Sequence, residues 1–205
     1  MAKIVFNTSG DAIGSTATVM GIDPSLTSTG VIVLDSRGEI VAKERITSKP
    51  SGPLVSSRMR RCQDIFNAVI NVANIWQPSV ITIEGYSLGS NMPGMVDRVE
   101  LGGLLRYMLI AHGHRLVEVA PTTLKKWATG KGAWPGGGKT PLIVAMTSRY
   151  RVELGTDDEY DAYALARMAL QIAEHDEPQN QHQREAIEVA INGRTKKPSK
   201  RKTAT

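Results

Sequence analysis

Four carboxylates from three distant segments are the residues of this sequence best suited to chemistry. Asp23 ends one apolar run, ATVMGID over residues 17–23, and Glu84 ends another, SVITIE over residues 79–84. An ionised carboxylate among such neighbours is costly to bury unless it is paired or binds a metal. Asp158 and Asp161 are three apart within DDEYDA, so on a helix they share one face, which continues through Leu165, Met168 and Ile172. Plainer readings exist for most of them. Asp157 and Asp158 suit a helix N-terminus, where carboxylates cap backbone N–H groups, and Asp23 before Pro24 suits a turn. Asp161 fits the capping explanation less well, because it falls on the apolar side. Hard oxygen donors favour Mg2+ or Mn2+ over zinc, and the histidines at 112, 114, 175 and 182 have no matching ligand spacing. Carboxylates holding two such ions would serve phosphodiester hydrolysis, with charge placed on both the attacking water and the leaving oxygen.

The elements that must position these acids are legible in the hydrophobic pattern. Residues 17–23, 30–35 and about 39–47 read as strands joined by short turns, from Pro24 to Gly30 and at Ser36-Arg37-Gly38, which predicts an antiparallel meander. After a Pro/Gly/Ser loop over 48–56, apolar residues at helical spacing (Met59, Cys62, Ile65, Phe66, Val69, Ile70, Ala73) predict a helix over 57–75. A strand at 79–84, a helix at 95–113 and a strand at 115–119 follow. A short helix opens at Pro121, a glycine-rich loop spans Thr129–Lys139, and helices over 142–150 and 157–173 complete the order. With the short helix at Pro121 left aside, that order, βββ-α-β-α-β-α-α, predicts a mixed sheet with helices on both faces. Residues 1–16 read as a flexible leader, 17–173 as one domain, and 174–205 as a polar, basic, partly disordered extension with a short helix near Arg184–Ile191.

The chain has 205 residues, 41% hydrophobic and 22% charged, which is room for one α/β domain with a hydrophobic core. A single cysteine, Cys62, excludes an internal disulfide or a cysteine-based zinc site and favours a reducing compartment. There is no apolar run of about 18 residues to span a membrane and no secretion-type apolar leader, so the expected location is the cytoplasm. The net charge of +5 is unevenly placed: Arg194, Lys196, Lys197, Lys200, Arg201 and Lys202 have no acid among them, and without them 19 basic residues face 20 acidic ones. Such a tail can hold a polyanion without sequence preference or simply remain solvated. GGGKT at 136–140 is not a phosphate loop, because Ala133 stands where that pattern needs glycine. Arg58, Arg60 and Arg61 could touch phosphate or be solvated, and Ser25, Thr27 and Ser28 could bind phosphate or satisfy their own turn.

Four motifs occur in order. They are Gly21-Ile22-Asp23-Pro24 with Thr29-Gly30-Val31-Ile32; Ile83-Glu84 with Tyr86; Val119-Ala120-Pro121 with Lys125-Lys126, Thr129-Gly130-Lys131-Gly132 and Lys139; and Asp158 through Ala166. In this register the set resembles the RuvC-type Holliday junction resolvases of the ribonuclease H-like superfamily. The resemblance implies an α/β fold with a five-stranded mixed sheet, an antiparallel meander of strands 1–3 followed by parallel strands 4 and 5, flanked by helices. It implies an Mg2+- or Mn2+-dependent crossover junction endodeoxyribonuclease with two ions per site. It also implies a homodimer that nicks branched DNA at symmetric positions across a four-way junction. Asp23, Glu84, Asp158 and Asp161 would be catalytic metal ligands, and Lys125, Lys126, Lys131 and Lys139 would contact the DNA backbone. Tyr86 would stack on an unpaired base, or else be an ordinary half-buried loop tyrosine. Three departures mark a divergent member, such as a phage-encoded one. Ser25 stands where the family usually has glycine, residues 133–138 lengthen the lysine-bearing loop, and the basic tail lies outside the family core. Rival readings are a debranching nuclease acting on flaps and forks, a sugar- or acyl-kinase-like ATPase, and a noncatalytic DNA-binding protein of the same fold.

Overall fold

A computed structural model describes residues 16–50, 52–86, 94–134 and 138–193. Nearly all of the leader and the whole basic cluster at 194–202 therefore lie outside the described residues. The elements in chain order are β1 (Thr18–Asp23), β2 (Ser28–Asp35), β3 (Ile40–Thr47), α1 (Val55–Trp76), β4 (Val80–Glu84), α2 (Met95–Ala111), β5 (Leu116–Val119), α3 (Pro121–Thr129), α4 (Thr140–Tyr150), α5 (Asp157–Ile172) and α6 (Gln181–Asn192). The five strands form one sheet in the order β3-β2-β1-β4-β5. β1, β2 and β3 pair antiparallel as the meander, β4 lies parallel to β1, and β5 lies parallel to β4.

Strand alternation divides the core in two. Val19, Ile32, Leu34, Val80 and Val119 face one side, with α3, α4, α5 and α6. Met20, Ile22, Val31, Val33, Ile81 and Ile83 face the other, with α1 and α2. Successive side chains on a strand point to opposite faces, and the central strands read as continuous apolar runs because both faces are covered. Each such aliphatic side chain contributes roughly 1.5–3 kcal/mol when fully buried. Helix α5 is the most enclosed helix: from Glu159 to Ile172 every residue but Arg167 is buried, between the sheet on one side and α3, α4 and α6 on the other.

Helix α6 lies within the segment that composition marks as an extension, yet it packs on the body. Asn180 caps it by accepting the Gln183 N–H at 3.0 Å, and Ala186 and Ile187 join the core beside Leu124, Trp127 and Ala128. Its polar residues are tied in as well: Glu185 pairs with Lys126 of α3, and the Gln171 side chain reaches both Gln183 and the Trp127 indole N–H. The apolar positions of α6 are too few to stand out in a Gln-rich stretch, which is why the sequence shows only a short helix there. Among the described residues no helix is long and apolar enough to cross a membrane.

Candidate active site

Asp23 is the last residue of β1 and Glu84 the last of β4. Ile22 pairs with Ile83 in parallel register, so the two acids that follow lie side by side at one edge of the sheet. Each sits two residues beyond a small or polar residue, Gly21 and Thr82, and therefore shares its face, which α5 covers. The helix reaches that edge because it rests directly on the strands. A Cβ at Gly21 would stand 2.2 Å from the Ala162 carbonyl oxygen and 2.3 Å from the Ala166 nitrogen, and one at Gly30 would stand 2.3 Å from the Asp158 carbonyl oxygen. The Thr82 hydroxyl donates to the Leu165 carbonyl at 2.8 Å from the neighbouring strand. The first turns of α5 are thus held over the ends of β1 and β2, which brings Asp158 and Asp161 to Asp23.

The start of α5 is fixed by other residues. Thr156 accepts the Glu159 N–H, and the Glu159 carboxylate accepts the Thr156 and Gly155 N–H groups at 3.1 and 2.6 Å. This reciprocal capping box takes over the capping role that Asp158 could have played, and its Thr-x-x-Glu signature is a signal present in the sequence.

Asp23, Glu84 and Asp161 have raised pKa values. Burial, followed by the charges of Glu84 and Asp161, pushes Asp23 well above the usual carboxylate range. Burial and the Asp161 charge raise Glu84 to about 7, against a hydrogen bond shared with Asp23 and the attraction of Lys139 and Lys125. Burial also raises Asp161, opposed by Lys139. Asp23 and Asp161 are only 6% and 7% exposed, so water screens their repulsion poorly and the cluster demands a cation. In this structure the Lys139 ammonium supplies it. It bonds Asp161 and lies 3.9 Å from Asp23 Oδ2 and 3.8 Å from Asp158 Oδ1. Although burial opposes its charge, the three aspartates hold its pKa above the usual lysine value.

Among the described residues no three His, Cys, Asp or Glu side chains form a ready-made metal cage. The carboxylates are instead arranged about an ammonium group. Asp23, Asp158 and Asp161 face that ammonium, and carboxylate oxygens of this kind are hard donors of the type that Mg2+ and Mn2+ prefer.

The acids open into two adjoining clefts. One, of about 250 Å³, is lined by Asp23, Ser25, Glu84, Tyr86, Arg106 and Asp158 among others. The second, of about 280 Å³, runs past Glu84 and Asp161 to Pro121, Lys125 and Trp134, and Lys139 borders both. Tyr86 is half-buried, its hydroxyl donates to the Val99 carbonyl at 3.1 Å, and the Arg106 guanidinium covers its ring at 4.4 Å. Lys125 lies at the second cleft with its ammonium 4.9 Å from the Trp134 ring centre. Lys126 is turned the other way, toward Glu185 of α6. Lys131 is exposed and lines neither cleft.

Of the other phosphate candidates, Arg58 is engaged with Glu100 and Asp97, and Arg61 donates to the Leu26 carbonyl and to Ser48. Ser25 satisfies its own turn: its hydroxyl accepts the Thr27 and Ser28 N–H groups, and its carbonyl accepts the Thr29 hydroxyl at 2.6 Å. Position 25 has no left-handed backbone, so serine replaces glycine there without strain. Arg106, central to the first cleft, is not foreshadowed by the motifs. Its only signal is a charge set among Leu104, Leu105, Met108 and Leu109.

Comparison with known proteins places this geometry. The family model for the crossover junction endodeoxyribonuclease RuvC matches residues 19–167. The chain is 30% identical over 159 residues to the RuvC of Neorickettsia sennetsu, covering 72% of this chain and 89% of that one. It is 27% identical over 156 residues to the RuvC of Rhizobium leguminosarum bv. trifolii, covering 74% and 88%. The fold is shared with Thermus thermophilus RuvC at a TM-score of 0.61 and 18% identity, covering 77% of this chain and 96% of that one. The same thermophile protein in complex with a Holliday junction substrate gives a TM-score of 0.60. The family match ends inside α5, so α6 lies beyond it.

Proposed function

Because this chain belongs to the RuvC family of crossover junction endodeoxyribonucleases, we propose that it hydrolyses DNA phosphodiesters at four-way junctions, placing paired nicks at symmetric positions. The observation that carries this reading is the meeting of Asp23 of β1 with Asp158 and Asp161 of α5 at the Lys139 ammonium, with Glu84 of β4 hydrogen-bonded to Asp23 beside them. Asp23, Glu84, Asp158 and Asp161 would hold Mg2+ or Mn2+, two ions per site. Bound there, such ions supply the positive charge that activates water and offsets the charge developing on the leaving oxygen. The residues themselves do the positioning. Asp23 and Glu84 close two paired strands, and Asp158 and Asp161 stand in the first turns of the capped helix α5, so regular elements carry all four carboxylates. Lys125 and Lys139 flank the acids and supply positive charge for a DNA backbone that the carboxylates alone would repel. Tyr86, in the lining of the first cleft, would stack on a base splayed at the branch.

A homodimer would present two such sites to two strands. It is supported by a stripe on α2 where Val96, Val99, Tyr107 and Ile110 recur at helical spacing and are 65%, 40%, 69% and 61% exposed.

The test is a synthetic immobile four-way junction, labelled on each strand and incubated with and without Mg2+ beside flap and fork substrates. Paired symmetric nicks confined to the four-way junction are expected, and equal cutting of flaps and forks would favour the debranching nuclease. Asp23→Asn should lose cleavage and keep junction binding. Normal turnover by that variant in Mg2+ would refute the assignment of the site.

A further inference from the structure

Arg106 lies in the C-terminal half of α2, and its guanidinium meets β5, its own helix, the end of β4 and the Tyr86 ring just beyond it. Nε pairs with Glu118 of β5 at 2.5 Å. Nη1 donates to the Gly102 carbonyl of α2 at 2.8 Å, and Nη2 donates to the Glu84 carbonyl at 2.8 Å, where β4 ends. The guanidinium carbon stands 4.4 Å from the centre of the Tyr86 ring, and the Tyr86 hydroxyl returns to α2 at the Val99 carbonyl. The stack exists because position 102 has no side chain. A Cβ there would stand 2.7 Å from Arg106 Nη1 and 2.8 Å from the Tyr86 ring. The Arg106 side chain is only 15% exposed.

We propose that Arg106 is a positioning residue that fixes the Glu84 backbone and the Tyr86 ring as one unit, so that branched DNA engaged at Tyr86 is held in register with the carboxylate two residues upstream. This inference rests on the function proposed above. The β4 ladder ends as the Gly85 N–H donates to the Val119 carbonyl at 2.8 Å, and on its other side the Glu84 carbonyl and the Tyr86 ring are held by Arg106. Arginine can do this and lysine cannot. Its planar fork donates in several directions at once while its face stacks on an aromatic ring, whereas an ammonium is a single point charge. A mere ion pair with Glu118 would be served equally well by lysine.

The experiment compares wild type, Arg106→Lys and Arg106→Ala as full-length proteins. Three quantities are measured: thermal midpoint, four-way-junction affinity without divalent metal, and the single-turnover cleavage rate at saturating protein with Mg2+. Arg106→Lys should keep its thermal midpoint and affinity near wild type while its cleavage rate falls roughly ten- to a hundredfold, as expected for misplacement of a catalytic ligand by an ångström or less. Added methylguanidine should restore much of the rate to Arg106→Ala, and methylamine should not. Wild-type cleavage by Arg106→Lys would overturn the inference, as would a rate loss that follows the thermal midpoint and resists methylguanidine. If wild type cuts no branched substrate, the functional reading beneath the inference fails first.

Discussion

Glu84→Gln should stabilise the metal-free protein while abolishing its chemistry. Burial and the neighbouring Asp161 charge raise the Glu84 pKa to about 7 in the folded chain, against about 4.3 when unfolded. A carboxyl raised in this way keeps its proton on folding at low pH. Stability is therefore greatest below the unfolded value and is lost as pH climbs toward and through about 7. At pH 8 the folded wild type must hold an extra buried negative charge, at a cost of roughly 3–4 kcal/mol. Glutamine keeps the shape and the carbonyl-type acceptor facing Asp23 but cannot ionise. In chelator at pH 8 the variant should melt roughly 6–16 °C higher than wild type, whereas at pH 4.5, where both side chains are neutral in the folded state and only partial ionisation of the unfolded chain separates them, the gap should shrink to about 2 °C or less. Added Mg2+ should reverse the order, because only the intact acid set binds it tightly and ligand binding stabilises the native state. Thermal unfolding followed by circular dichroism, at both pH values and with and without Mg2+, reads all four conditions. A variant no more stable than wild type at pH 8 in chelator would refute the reasoning, as would an equal gain at pH 4.5.

Three further outcomes follow from the same geometry. Gly21→Ala should cost roughly 1–3 kcal/mol or more, because the added methyl meets the α5 backbone rather than a movable side chain. It should also weaken Mn2+ binding by lifting Asp158 and Asp161 from Asp23, and normal urea unfolding with normal Mn2+ affinity would contradict the close-contact account. Lys126→Ala should leave junction affinity unchanged and shift the thermal midpoint little, since its ion pair with Glu185 is open to solvent; Lys125→Ala should lower the salt slope of junction binding by about 1, and equal effects of the two substitutions would disprove their opposite orientations. Truncation after Gly193, which keeps α6, should lower that slope by up to about 5 if all six basic residues meet phosphates, while an unchanged slope would leave the tail only a solvating role.

The order of elements along the chain, the meander and the helical spacing of α1 and α5 were legible because apolar runs bounded by turn residues mark strands and period-3.6 patterns mark the buried side of helices. The acids were legible for a related reason: a carboxylate closing an apolar strand, or lying on the apolar face of a helix, conflicts with its surroundings, and Asp23, Glu84 and Asp161 each carry that conflict. What residue type and spacing could not supply was orientation in three dimensions. Lys125 and Lys126 are neighbours in the chain, yet one borders the second cleft and the other pairs with α6, because adjacent residues on a helix point about 100° apart. Gly21 and Gly30 read as turn or motif glycines until α5 is placed against them, and only then does their lack of a side chain become the reason that the acids meet. Arg106 acquires partners from β4, β5 and its own helix only once those elements are packed. Local sequence thus set the elements and marked the charged residues that did not fit them. Which of those residues share a cleft was decided by the register of β1 with β4 and the close seating of α5, contacts between segments that no local pattern encodes.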